Sequence, residues 1–122
     1  MTRIFFVLGS LSALMGVALG AFAAHALKSR IAPEMLAVFE VGVRYQMYHA
    51  FGLFAVAWAA SHWSGADFSL AGWLFVGGTV LFSGSLYVLS LTGVKALGAV
   101  TPIGGVLFLV GWIKLAQTAF RS

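Results

Sequence analysis

The sequence predicts an all-α integral membrane fold, a bundle of four spans with a short amphipathic helix between spans one and two. Three observations lead there. Charged residues make up 8% of the 122-residue chain, about a third of the roughly 25% usual in soluble domains. Hydrophobic residues reach 61%, and mean hydropathy is +1.02. Uncharged residues are gathered into four runs, 4–27, 45–66, 68–94 and 96–113. Each is long enough to cross a hydrocarbon core of about 30 Å at 1.5 Å per residue. Ten charged side chains could not cover the large surface of a soluble fold this small.

Span one is expected over residues 4–27, closed by Lys28 and Arg30. Its start resembles a secretory leader, but the apolar run exceeds a leader's usual length, so it reads as a helix that stays. Ser12, Gly16, Gly20 and Ala24 recur every fourth residue, a stripe of small side chains that lets two membrane helices approach closely. Pro33 then suits the first turn of a helix. Beyond it Glu34, Ala37, Glu40 and Arg44 share one face, as in a short helix lying at the interface. Glu40 and Arg44, four apart with the acid first, have the favourable order for a helical ion pair.

Span two is expected over 45–62, and apart from Gly42 nothing between Pro33 and Ser61 forbids its continuing the preceding helix without a break. A polar turn with Trp63 and Asp67 leads to span three at 70–91, where Gly84 between two serines permits close packing. Span four, 96–115, is expected to kink at Pro102, freeing the carbonyl of Gly98, with Gly104 and Gly105 following. Loops one and three hold Lys28, Arg30, Arg44 and Lys95 against Arg3, Lys114 and Arg121 on the other side. This bias puts those two loops in the cytoplasm and both termini outside.

The totals exclude several chemistries. With no cysteine there is no thiol nucleophile, thiolate metal site or disulfide. Dinucleotide and phosphate-loop glycine motifs are missing. The seven basic residues stand singly at helix ends, as topology signals and headgroup contacts and not as a nucleic-acid patch. No tight metal-ligand spacing occurs, and the serines lack a nucleophile motif. No catalytic residue, metal or cofactor is therefore expected. The expected partners are the lipid bilayer and a homo-oligomer or larger membrane complex.

Polar residues gather on one side of this topology. His25, Glu40, Arg44, Tyr45, Gln46, His49 and Lys95 are all expected in one leaflet, forming a candidate functional cluster. Ionisable groups inside a membrane are costly and mark function by default. Side chains at helix ends also snorkel and set helix register, so a proton or solute path and a purely structural role both remain open.

Four strings carry a resemblance: Gly20 to Lys28 (GAFAAHALK), Phe39 to Ala50 (FEVGVRYQMYHA), Leu81 to Tyr87 (LFSGSLY) and Thr101 to Gly105 (TPIGG). In this order and with these gaps the chain resembles the domain of unknown function 423 family along its whole length. That family comprises small four-span membrane proteins, YgdD- and YwdK-like in bacteria, and is similar to the eukaryotic transmembrane protein 256 family. Ala24 departs from the family's more frequent glycine before the histidine. The resemblance implies a four-helix protein of the bacterial inner membrane and supplies no reaction. The expectation is thus a non-enzymatic structural or accessory membrane component. A small oligomeric transporter or channel for protons, ions or an amphipathic solute is the alternative.

Overall fold

A computed structural model describes residues 2–122, and it is helical throughout, with no strand among the described residues. Four long helices follow in chain order: α1, Thr2–His25; α2, Pro33–His62; α3, Ser69–Thr92; and α4, Thr101–Phe120. Single 3₁₀ turns, Leu27–Ser29 and Lys95–Ala99, precede α2 and α4. Three of the helical segments are long and apolar enough to cross a membrane: Thr2–Ser29, Ser69–Thr92 and Lys95–Phe120.

The ends follow local chemistry. Pro33 opens α2 in the first turn, where its missing N–H costs no bond. Asp67 accepts the Ser69 N–H at 3.0 Å and the Ser69 hydroxyl at 2.6 Å, ordering the entry to α3. Gly93, among the described residues the one with positive φ (73°), ends α3 and donates its N–H to the Leu89 carbonyl at 2.8 Å.

Two sequence expectations change here. The short amphipathic helix is not a separate element: residues 33–44 are the first turns of α2, which runs unbroken through Gly42. A glycine inside a helix costs only about 1 kcal/mol. At Gly42 the missing side chain makes room for the Tyr87 ring, which a Cβ would meet at 2.8 Å. Pro102 likewise makes no kink. It lies in the first turn of α4, the last residues of the preceding 3₁₀ turn having already left the α-helical path, so no carbonyl is freed inside that helix.

Each helix packs on its sequence neighbours, and α2 and α3 form the centre. Ten residues of α2 and eight of α3 are buried, against four of α1 and three of α4. The outer helices leave large apolar side chains uncovered, among them Leu14 (64% exposed), Leu109 (66%) and Ile113 (63%). Apolar side chains around the whole circumference of a helix belong in lipid.

Glycines and aromatic rings interlock at the seams. Gly16 lies under Met47 and Gly20 under Val43, so α1 meets α2 through the small-residue stripe. Ser12 joins it through its backbone carbonyl. Ala24, expected to continue the stripe, is exposed, and Ala23 is buried in its place. A spacing of four advances 400°, so the stripe drifts about 40° per step off a straight seam; Gly9, Gly16 and Ala23, seven apart, hold it. Between α3 and α4 the backbones come closest at Gly104, where a Cβ would lie 2.8 Å from the Phe82 Cα. Gly105 makes only ordinary contact with the Phe82 ring, and Gly84, expected in a packed seam, has no neighbour within 4 Å of where its Cβ would be.

Two apolar clusters result. One gathers Phe5, Leu53, Val56, Phe68, Phe75 and Phe108, and the other Ala23, Leu27 and Phe39. Between them along α2 lie Gln46 and His49.

Candidate functional site

The layer between the two apolar clusters is where the buried polar side chains bond. Gln46 (6% exposed) projects from α2 and reaches both neighbours. Its Nε2–H donates to the Ser12 carbonyl of α1 at 2.9 Å, and its Oε1 accepts the Tyr87 hydroxyl of α3 at 2.6 Å. One amide therefore ties three helices. A turn away on α3, the buried Ser83 hydroxyl donates to the Gly42 carbonyl of α2 at 2.6 Å. The Ser85 and Thr101 hydroxyls share a 2.6 Å bond between α3 and α4.

His49 (4% exposed) completes the layer. Trp112 of α4 places its Nε1–H 3.0 Å from His49 Nε2. An indole nitrogen only donates, so Nε2 must be the bare acceptor and Nδ1 carries the proton. That proton is given to the Tyr45 carbonyl at 2.7 Å. The ring is thus a neutral Nδ1–H tautomer with both nitrogens engaged. It stacks on Phe108 at 3.5 Å between centroids and 6° between planes, and Phe75 meets it edge-on. Bound in this way, neither nitrogen has a lone pair for a metal. Among the described residues no three metal-ligating side chains converge elsewhere.

The seven candidate cluster residues separate in space. Gln46 and His49 lie at mid-length of α2; the Tyr45 carbonyl accepts from His49, while the Tyr45 ring is exposed. Glu40 and Arg44 are both exposed and border a shallow groove with Tyr48. His25 is exposed at the end of α1, and Lys95 is exposed in the 3₁₀ turn before α4. His49 sits deeper than expected because α2 begins at Pro33, which moves its midpoint toward this residue. Ser83, Ser85, Tyr87, Thr101 and Trp112 were not among the candidates. Each is a common residue on an apolar helix, and only the interhelical register shows what it faces.

An open groove of about 630 Å³ runs between α2 and α4 over this layer. Tyr45, Tyr48, Phe82, Phe108 and Trp112 wall it, with His49 at its floor. At the far end of the molecule, in the turn after α2, Asp67 stands fully in solvent. The Ser69 hydroxyl, and then the Ser69 N–H, hold its carboxyl below the usual carboxylate range.

Residues 19–105 match the family described as protein of unknown function (DUF423). The chain is 49% identical over 120 residues to the UPF0382 membrane protein YwdK of Bacillus subtilis, covering 98% of each chain. It is 45% identical over 119 residues to the UPF0382 membrane protein SSP2132 of Staphylococcus saprophyticus, again covering 98% of each. The UPF0382 membrane protein SERP0230 of Staphylococcus epidermidis is 46% identical over 119 residues, with 98% of this chain and 97% of that one covered. No solved structure matches the chain. The family's matched region begins before the end of α1 and closes just past Gly104, so it contains Gln46, His49, Ser83 and Tyr87, and with apolar helices of membrane length and relatives named for the membrane, the chain is a membrane protein belonging to the DUF423 family.

Proposed function

We propose that the chain is a four-span, non-enzymatic structural or accessory component of the bacterial inner membrane. The observation that carries this reading is the closure of the buried polar layer. Among the described residues no buried side-chain nitrogen or oxygen lacks a partner, and the partners lie within the helices themselves. A group that catalyses or conducts must offer an open valence to its substrate at some step. Gln46 spends its own on α1 and α3, and His49 on Trp112 of α4 and on the Tyr45 carbonyl one turn back in α2. This is the use of polar side chains that specifies helix register in a membrane.

The fourth crossing is α2. Its 30 residues reach about 45 Å at 1.5 Å per residue, and it packs between α1 and α3. Its crossing places loops 26–32 and 93–100 on one side, the cytoplasmic one by their basic residues. The bare apolar faces of α1 and α4 are then left for lipid or for a partner's helices.

One observation favours the transport alternative: the aromatic groove over His49 would admit an amphipathic solute from the lipid side. Gentle extraction from native membranes followed by native mass spectrometry tests the main reading. A stoichiometric complex with other membrane subunits is expected. A homo-oligomer whose solute flux in proteoliposomes is abolished by His49→Ala would overturn it in favour of transport.

A further inference from the structure

Beyond that role, the end of the molecule that carries the termini holds a polar groove that the buried layer does not use. It has a volume of about 590 Å³ and lies between the turn after α2 and the last two turns of α4. Trp63 and Asp67 border it from the turn, Lys114, Gln117 and Thr118 from α4, and Arg121 from the residue that caps α4. Lys114 and Arg121 are seven apart and so share one helix face, about 10.5 Å from each other along the axis. Lys114 Nζ–H donates to Gln117 Oε1 at 3.3 Å, which draws the ammonium one turn toward Arg121. Both cations line one opening, and Asp67 lines it from the turn after α2. Asp67 commits Oδ1 to Ser69. The groove's charged side chains are thus two cations and one carboxylate.

This charge arrangement matches a particular ligand. A phosphate accepts from a guanidinium and an ammonium by charge-assisted bonds. A carboxylate lining the same opening repels a bare anion but pairs with a cation tethered to that phosphate. An indole such as Trp63 is at home at the depth of lipid headgroups. We propose that this groove binds a phosphoethanolamine group, with the phosphate on Lys114 and Arg121 and the ammonium on Asp67. The group comes from a phospholipid of the surrounding leaflet or from a water-borne phosphate ester.

The full-length protein in detergent, titrated with phosphatidylethanolamine, phosphatidylglycerol and diacylglycerol and read by native mass spectrometry, tests the site. Phosphatidylethanolamine is expected to bind tightest and the phosphate-free lipid not to be retained. The double variant Lys114→Gln/Arg121→Gln should weaken phosphatidylethanolamine binding by on the order of tenfold or more. The charge-keeping swap Lys114→Arg/Arg121→Lys should retain it, which guards against a folding artefact. Asp67→Asn should erase the preference over phosphatidylglycerol. Soluble phosphoethanolamine that displaces the lipid would identify the water-borne source, and failure to displace it the lipid. Equal binding by wild type and the Lys114/Arg121 double variant overturns the proposal. An equal loss in Lys28→Gln/Arg30→Gln, at the opposite end, also overturns it, since general charge attraction would then explain the binding.

Discussion

Tyr87 and Gln46 meet at 2.6 Å, the amide buried and the phenol half-buried. Removing one partner and removing both should therefore have different effects. Gln46→Leu leaves the tyrosine hydroxyl without an acceptor and is expected to cost about 1–3 kcal/mol. Adding Tyr87→Phe should restore most of that, because two apolar partners leave nothing unpaired. Unfolding in mixed detergent measures the cycle, and additive losses would show that the two side chains do not act as a pair. At the surface, Asp67 titrates below its ordinary value because Ser69 bonds its charged form. Its contribution to stability is present above the unfolded carboxylate pKa of about 3.9 and is lost as pH falls through the lowered folded value. Ser69→Ala should raise the Asp67 pKa toward its unfolded value in an NMR titration. Gln46 and His49 were legible in the sequence as candidates, because polar side chains in an uncharged run are conspicuous. Trp112 was not, since a tryptophan near a helix end reads as an interface anchor until the register shows its N–H on His49.

At the scale of elements, the contact between α3 and α4 depends on a glycine with no space beside it. Gly104→Ala would push a methyl into the Phe82 backbone, and neither backbone can rotate away as a side chain could. A loss of about 1–3 kcal/mol is expected, typical of overpacking. Gly84→Ala is the control, since it points into open space and should be neutral or stabilising by up to about 1 kcal/mol from helix propensity. Thermal unfolding in detergent compares the two, and equal losses would remove Gly104 from the seam. The existence and length of α1 and α3 could be read from hydropathy alone. The start of α4 could not: proline inside an apolar run predicts a kink when counted from residue 96, and it predicts a helix start once the 3₁₀ turn over Lys95–Ala99 is known. The unbroken α2 was open to the sequence, with Gly42 alone against it; what the sequence could not show is that Gly42 is a fitted contact beneath the Tyr87 ring.

For the molecule as a whole, the proposed four-span arrangement predicts a labelling pattern. Single cysteines introduced by Gly65→Cys and Ser122→Cys should react with an impermeant thiol reagent from one face of intact membranes. Ser29→Cys and Gly93→Cys should react only from the other. Labelling of Gly65→Cys and Gly93→Cys from the same face would rule out α3 as a crossing. Membrane character was plain from composition, whereas α2 is diluted by Glu34, Glu40, Arg44, Gln46 and His49 and does not stand out as a span by hydropathy. Other helices answer Gln46 and His49, and this has a consequence for how the protein is made. The acceptor for Gln46 Nε2 is synthesised before α2, in α1, but its Oε1 must wait for Tyr87 and His49 Nε2 for Trp112. A nascent chain therefore carries α2 with unanswered polar atoms until Trp112 has emerged, so, if α2 crosses as proposed, a chain truncated before Trp112 should be degraded faster in cells than the full chain, which a pulse-chase measures.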